Sequence, residues 1–216
     1  MRYTLLRLTA SGVVLSAYHR RRLGLDVALP HGRADAGAGA AFARFARDEE
    51  PGVFAAWVDE DGLLRTERRS DSVLHDDLPV RFVPSPLGDR RGPIPKPASP
   101  GPYDDVRLAD CITLLTSRDG RELYEACRAA VLGWDGRRLV RPPADRPRVW
   151  STAETAVAER LATRDAPLAV TDAMPLLLVN AVKGTCAVRT PGREAFPADV
   201  RREIETVLAS RTEWPA

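Results

Sequence analysis

The sequence contains very little lysine, although it carries an ordinary amount of positive charge. Only two of its 32 basic residues are lysines, Lys96 and Lys183, and the rest are arginines. A GC-rich genome produces such a bias, so a retained lysine marks a position where arginine is not an equivalent replacement. A desolvated lysine can lose its proton and form a Schiff base with an aldehyde. Both lysines are therefore candidates for a chemical role, and a solvated loop charge is the alternative for Lys96.

Cysteine and histidine are also scarce, with three of each. The cysteines are odd in number and widely spaced, at Cys111, Cys127 and Cys186, with no C-x-x-C pair. This pattern indicates neither a disulfide framework nor a zinc site. The histidines show no H-E-x-x-H spacing. We therefore expect no metal ion, and we expect a reducing, cytoplasmic location.

No hydrophobic run approaches the length of a membrane span. Arg7 interrupts the mildly apolar N-terminal stretch and three arginines follow it, an order unlike that of a secretory signal peptide. The net charge is +2, and basic and acidic residues are spread along the chain, so no electrostatic footprint for nucleic acid stands out. We expect neither a membrane nor a nucleic acid as a partner.

A chain of 216 residues with 44% hydrophobic residues can form one large domain or two small lobes. The first part predicts a hairpin of strands at 3–8 and 12–17, the second running into a helix at 19–25. This helix is followed by a second helix at 36–48, a hairpin within 52–69 and a strand within 78–86 that closes the lobe. These patterns predict an α+β lobe over residues 1–85.

Residues 86–102 are rich in proline and glycine and predict a linker without regular structure. Beyond it, residues 103–216 predict a larger α+β lobe. Arg-Asp-Gly and Trp-Asp-Gly turns divide residues 109–143 into three strands, and a helix follows with Ser151 or Thr152 as its N-cap. Residues 175–188 predict two strands with a break between them, and residues 197–211 predict a final helix with Pro197 near its start.

Four segments stand out by their order and spacing. They are "LLRLTASGVVLSAYHRRRLG", the stretch from Lys96 to Tyr103, "DGRELYEACRAAVLGWDGRRLVRPP", and the pair "VWSTAET" and "LLLVNAVKGTCAV". Together they resemble the class IV aminotransferases, the fold-type IV enzymes of pyridoxal 5′-phosphate (PLP). The resemblance is closest to the aminodeoxychorismate lyase-like branch, and it extends from residue 3 to about residue 208.

This resemblance implies a two-lobed α+β fold of the D-amino-acid aminotransferase type. The N-terminal lobe would be shortened, because the family's initial strand and Gly-containing turn have no counterpart here. The resemblance also implies PLP as the cofactor, a small amino acid or an amino-chorismate-like compound as the substrate, and a homodimer with its active site near the lobe and subunit boundary.

The resemblance also assigns roles to individual residues. Arg22, in the H-x-x-R-L motif, would hold the cofactor phosphate, and Tyr103 would contact the phenolic oxygen. Lys96 would form the Schiff base, with Lys183 as the alternative amine. Glu125 would pair with the pyridine nitrogen, where a carboxylate keeps that nitrogen protonated so that the ring can withdraw electrons from the substrate.

The remaining phosphate contacts are implied at two further places. Ser151 and Thr152 stand where the family binds phosphate through backbone N–H groups at a helix start. Asn180 and Ala181 match the family's N-[SA]-x-x-G loop. Glu154 replaces the family's usual arginine, so we expect an acidic side chain near the phosphate and weaker phosphate binding.

Other departures from the family pattern leave a second hypothesis open. Ala130 and Leu132 replace the family's Asn and Phe, and prolines flank Lys96. A PLP-independent descendant would keep the fold and use its cleft for another reaction or for binding a ligand or a protein. Within the PLP hypothesis, lyase and aminotransferase outcomes stay open because both begin with loss of the same α-proton. The sequence does not identify the substrate, since substrate-facing loops vary most.

Overall fold

The computed structural model describes residues 2–10, 12–25, 36–71, 74–88, 90–94, 101–108 and 110–210. Within these residues the chain forms three β-sheets and four helices. Lys96 lies outside the described residues. No helix in the described part of the chain is long and apolar enough to cross a membrane.

The first sheet is antiparallel, with the strand order β2-β1-β3-β4. Its elements and the two helices beside it are β1 (Arg2–Thr9), β2 (Gly12–Val13), α1 (Ser16–Leu23), α2 (Ala36–Asp48), β3 (Gly52–Val58) and β4 (Leu64–Arg69). The aromatic residues of α2 pack on the sheet, and Phe45 meets Phe54 edge-on with 4.9 Å between ring centroids. The predicted helix at 36–48 and hairpin within 52–69 are confirmed.

The strand expected at 12–17 is shorter than predicted. It ends at Val13, because the buried Leu15 adopts the left-handed conformation, with φ of 52°, and α1 begins directly after it. This conformation costs free energy for a residue other than glycine. At the other end of α1, Gly24 takes the left-handed conformation that commonly ends helices.

The remaining strands form two further sheets. They are β5 (Val80–Pro84), β6 (Ile112–Thr116), β7 (Glu122–Ala126), β8 (Ala130–Trp134), β9 (Leu139–Arg141), β10 (Thr163–Asp165), β11 (Leu168–Ala169), β12 (Leu176–Asn180) and β13 (Gly184–Val188). One sheet has the order β10-β9-β8-β12-β13, and the other has the order β11-β7-β6-β5. The helices of this part are α3 (Thr152–Ala158) and α4 (Ala198–Ala209), which pack on β8, β12 and β13.

Two sequence-based expectations about this part were wrong. The strand at 80–84 forms, but it pairs in parallel with β6 instead of closing the first sheet, so Val80 stands opposite Ile112. Residues 122–134, expected as one strand, form β7 and β8, because a tight turn closes with the amide of Ala126 donating to the carbonyl of Ala129 at 2.9 Å. The lobe boundaries at 1–85, 86–102 and 103–216 stay a prediction.

Contacts across the chain place the first sheet against α3 and the β12–β13 turn. The hydroxyl of Tyr18 on α1 donates to the carboxylate of Glu159 at 2.7 Å, just past the end of α3. Arg7 on β1 donates to the carbonyl of Val182 at 2.8 and 3.0 Å. These contacts bring α1 next to the end of α3 and β1 next to the β12–β13 turn.

Candidate active site

A cleft of about 400 Å³ lies where β1 and α1 face the ends of β7, β12 and the start of α3. Its volume is in the range of sites for small ligands and cofactors. Seven of the eight residues singled out from the sequence line it: Arg22, Tyr103, Glu125, Ser151, Thr152, Asn180 and Ala181. Residues from remote parts of the sequence therefore meet at one cavity.

Arg22 reaches this cleft from α1. Its Nη2 donates to the carbonyl of Trp150 at 2.6 Å, its Nη1 donates to the hydroxyl of Thr152 at 3.3 Å, and its guanidinium stands 5.8 Å from the centroid of the Trp150 ring. Its Nε is buried and makes no hydrogen bond within the described residues. Desolvation lowers the pKa of Arg22 to about 10, although the charge of Glu125 opposes the shift. A cation in this setting favours an anionic ligand.

Glu125 lies on β7 and is only 5% exposed. Its Oε1 accepts hydrogen bonds from the Tyr103 hydroxyl at 2.6 Å and from the amide of Val149 at 3.0 Å, and its Oε2 is 3.1 Å from the same amide. Burial raises the pKa of Glu125 to about 8, although these hydrogen bonds and the charge of Arg148 lower it. Burial also raises the pKa of Tyr103, so its hydroxyl keeps its proton and acts as the donor.

Helix α3 begins at the cleft with Ser151 as its N-cap, one of the two residues predicted for that position. The Ser151 hydroxyl accepts a hydrogen bond from the amide of Glu154 at 3.2 Å. The Glu154 carboxylate is buried, and both of its oxygens accept from Arg148, with 2.9 Å between Nη2 and Oε1. Glu154 does not line the cleft. The Glu154 carboxylate is thus paired with Arg148 and does not face the cleft, and weaker phosphate binding stays a prediction.

Asn180 uses its side chain to hold two turns together. Its Oδ1 accepts from the amides of Val182 and Lys183 at 2.8 and 3.0 Å, and its Nδ2 donates to the carbonyl of Arg128. The β12–β13 turn is thereby joined to the β7–β8 turn. Ala181 follows at the cleft surface.

Sequence reasoning missed several residues of the cleft. Arg107, Arg128 and Trp150 line it, as does Lys183, which the sequence offered only as an alternative amine. Arg107 and Arg128 were missed because they are two among 30 arginines and match no motif. His19, from the H-x-x-R-L motif, also lines the cleft, with its Nδ1 2.8 Å from the Thr4 hydroxyl. Among the described residues, no group of three or more His, Cys, Asp or Glu could hold a metal ion.

The chain on either side of residues 95–100 is fixed at the cleft. The amide of Ile94 donates to the carbonyl of Arg148 at 2.8 Å, and the amide of Trp150 donates to the carbonyl of Ile94 at 3.1 Å. After the gap, Gly101 and Tyr103 line the cavity. The described residues that precede and follow 95–100 in the sequence therefore lie at or next to this site.

No family model matches the sequence, and no curated protein matches it. Solved structures do match. A proposed branched-chain amino acid aminotransferase from Thermotoga maritima has a TM-score of 0.68 at 14% identity, covering 99% of this chain and 88% of its own.

Two further structures carry the same fold. The 4-amino-4-deoxychorismate lyase of Pseudomonas aeruginosa has a TM-score of 0.64 at 15% identity, covering 96% of this chain and 89% of its own. A hypothetical aminotransferase of Mycobacterium tuberculosis, in its PLP-bound form, has a TM-score of 0.58 at 16% identity. The match covers 96% of this chain and 88% of the aminotransferase chain. The chain therefore has the α+β fold of the class IV aminotransferases and aminodeoxychorismate lyases, as the sequence predicted.

Proposed function

We propose that the cleft binds PLP and that the protein is a PLP-dependent lyase or aminotransferase acting on a small amino acid or an amino-chorismate-like compound. The observation that carries the proposal is Arg22, whose buried Nε makes no hydrogen bond within the described residues and which shares a cleft with Glu125. A cofactor phosphate would supply the anion that this guanidinium favours. Two of the structures with this fold are named as an aminodeoxychorismate lyase and as a PLP-bound aminotransferase.

The residues present fit this cofactor. Arg22 and the Thr152 hydroxyl, 3.3 Å apart, would hold the phosphate together with the start of α3 at Ser151. Glu125 would face the pyridine nitrogen, and Tyr103 is the hydroxyl donor beside it. When bound, PLP supplies an electron sink that acidifies the α-proton of an amino acid.

Glu125 can hold a proton at the position that a ring nitrogen requires. Because its pKa is raised to about 8, its carboxyl group keeps its proton at neutral pH and can give it to a basic nitrogen placed against Oε1 or Oε2. The carboxylate left behind would accept hydrogen bonds from Tyr103 and Val149. This pairing would keep the nitrogen protonated.

Lys96 would provide the covalent attachment of PLP and, once freed, would move the proton at the substrate α-carbon. This assignment comes from the sequence, where Lys96 precedes Tyr103 by seven positions. Two described residues that flank its segment support it: Gly101 lines the cleft, and Ile94 is hydrogen-bonded to Trp150, which lines the cleft as well. Lys183 also lines the cleft and remains the alternative.

One observation favours the second hypothesis, a PLP-independent descendant. Both oxygens of Glu125 already accept hydrogen bonds from Val149, and Oε1 also accepts from Tyr103. In such a descendant these bonds would have only a structural role. A cofactor would have to share this carboxyl group with them.

The test is the absorption spectrum of the purified protein before and after addition of PLP, followed by borohydride reduction and peptide mapping. We expect a visible band from lysine-linked PLP and a reduced adduct on Lys96. Lys96→Arg should abolish the band, and Lys183→Arg should retain it. The reverse pattern would assign the link to Lys183. A wild-type protein that stays colourless in saturating PLP would favour the hypothesis of a PLP-independent descendant.

The same proposal includes a homodimer, since the resemblance places the active site near a subunit boundary. Sedimentation equilibrium of the full chain, with and without PLP, measures this directly. If the protein is a monomer and still binds PLP, the homodimer proposal is wrong and the cofactor proposal stands.

A further inference from the structure

The backbone of residues 148–150, just ahead of α3, contacts two of the groups on which the proposed function depends. The amide of Val149 donates to both oxygens of Glu125, at 3.0 and 3.1 Å. The carbonyl of Trp150 accepts a hydrogen bond from Nη2 of Arg22 at 2.6 Å. We call residues 148–150 the bridging segment, because adjacent residues in it hold Glu125 and Arg22.

The bridging segment also holds the chain ahead of Lys96. The amide of Ile94 donates to the carbonyl of Arg148 at 2.8 Å, and the amide of Trp150 donates to the carbonyl of Ile94 at 3.1 Å. Apart from one isolated β-bridge between Ile94 and Val149, the bridging segment belongs to no helix or sheet of the described structure. Its position therefore needs another source of support.

The side chain of Arg148 supplies this support from behind the cleft. Arg148 is 5% exposed and lies outside the cleft lining. Both of its terminal nitrogens donate to the carboxylate of Glu154, with 2.9 Å between Nη2 and Oε1, and Nη2 also donates to the carbonyl of Pro142 at 3.0 Å. A planar guanidinium bound at two points has a fixed orientation. Arg148 thus fastens the bridging segment to α3 and to the chain that follows β9.

The pair of Arg148 and Glu154 is costly if it serves stability alone. Both side chains are buried, and apolar residues of similar size usually give a buried position equal or greater stability. The pair also does little as a source of charge at Glu125. Burial raises the pKa of Glu125, the charge of Arg148 opposes this less strongly than the Val149 amide does, and the charge of Glu154 cancels part of the Arg148 effect. The position of the Val149 amide is therefore the stronger link between the pair and the cleft.

We propose that Arg148, held by Glu154, is a positioning residue for the cleft. Its side chain fixes the bridging segment so that the Val149 amide meets Glu125 and the Trp150 carbonyl meets Arg22. Because these contacts come from adjacent residues, a change at Arg148 should disturb both together. The positioning of Glu125 requires no cofactor, whereas its consequence for PLP binding rests on the proposed function.

The test compares Arg148→Met/Glu154→Leu with wild type by NMR of the full chain, labelled with ¹⁵N and with ¹³C at glutamate carboxyl groups. In wild type the Val149 amide resonance should shift with pH as Glu125 titrates, because the two groups are hydrogen-bonded. In the double variant the Val149 amide should lose this dependence. The pKa of Glu125 should then rise above its wild-type value, since the carboxylate loses a donor while it stays buried.

Fluorescence titration of the same proteins with PLP measures the consequence for the cofactor. The double variant should bind PLP about three- to tenfold more weakly, because Arg22 is no longer held in one orientation. Arg201→Met is the control for loss of an ion pair outside the cleft lining, since Arg201 pairs with Asp76 at 2.6 Å. It should keep the wild-type titration of Val149 and the wild-type affinity for PLP.

Arg148→Lys separates position from charge. Lysine keeps the positive charge but lacks the planar fork that meets Glu154 at two points. We expect a Val149 titration and a PLP affinity between those of wild type and the double variant. An unchanged Val149 titration in the double variant, or in Arg148→Lys if the double variant does not fold, would overturn the proposal. Loss of the Val149 titration in a protein whose wild type binds no PLP would support the positioning role and overturn the proposed function alone.

Discussion

The hydroxyl of Tyr103 donates a hydrogen bond of 2.6 Å to Oε1 of Glu125, which lies 22 residues further along the chain. Tyr103 belongs to a described segment of turns and loops, and Glu125 lies on β7 in a sheet. The bond therefore joins the loop that follows residues 95–100 to the buried wall of the cleft. It favours the ionised form and so opposes burial, which nevertheless raises the pKa of this carboxyl group to about 8.

Removal of this hydroxyl should raise the pKa of Glu125. In Tyr103→Phe the carboxylate loses a donor while it stays buried, so its pKa should lie above the wild-type value of about 8. A pH titration of ¹³C-labelled glutamate carboxyl groups by NMR measures the shift. Tyr18→Phe is the control, because that hydroxyl binds Glu159, and an unchanged titration of Glu125 in Tyr103→Phe would contradict the expectation.

Glu125 should also make the stability of the protein depend on pH. Its pKa is about 8 in the folded state and about 4.3 in an unfolded chain, so between these values the folded state binds more protons. The free energy of unfolding should then fall as pH rises through this window, by up to about 1.4 kcal/mol per pH unit.

Glu125→Gln should remove this dependence, since glutamine has no proton to lose. Urea unfolding at several pH values between 5 and 8 compares the slopes. Glu67→Gln, at an exposed position on β4, should keep the wild-type slope. Parallel curves for wild type and Glu125→Gln would show that burial does not hold the proton on this carboxyl group.

Arg22 should dominate the affinity for PLP. A charge-assisted hydrogen bond contributes about 1.5–3 kcal/mol, so Arg22→Ala should weaken PLP binding about ten- to a hundredfold. The neighbouring Arg21 is a matched control on the same helix, since it is exposed and pairs with Glu159. Fluorescence titration with PLP measures both, and equal affinities in the two variants would show that the phosphate lies elsewhere.

The pair of Arg148 and Glu154 should matter for stability. Arg148→Met leaves the buried Glu154 carboxylate without its main partner, which typically costs about 3–5 kcal/mol in the free energy of unfolding. Arg141, 3.7 Å from Glu154, compensates part of the charge, so we expect the lower end of that range.

The double variant Arg148→Met/Glu154→Leu should recover most of this loss, because no charge then remains buried. Arg164→Ala removes a partly exposed pair with Asp135 and should cost no more than about 1 kcal/mol. Urea unfolding gives all four values. A double variant no more stable than Arg148→Met would show that packing, and not charge, sets the cost.

Local patterns in the sequence were sufficient for elements whose formation depends on neighbouring residues. The helix at 36–48, the hairpin within 52–69 and the paired strands around Asn180 follow from periodicity and turn residues a few positions apart. Arg22, Tyr103 and Glu125 were found because their order and spacing resemble a known family, and they do line one cleft.

Pairings between remote residues could not be derived in this way. The sequence shows β5 as a strand, but only the fold sets it beside β6, 32 residues away, because a parallel partner has no local signal. Likewise the sequence suggested that the Glu154 side chain lies near the phosphate, whereas in the structure it is buried against Arg148. Arg107, Arg128 and Lys183 line one cleft only because three separate loops converge there, and the order of residues along the chain does not specify that convergence.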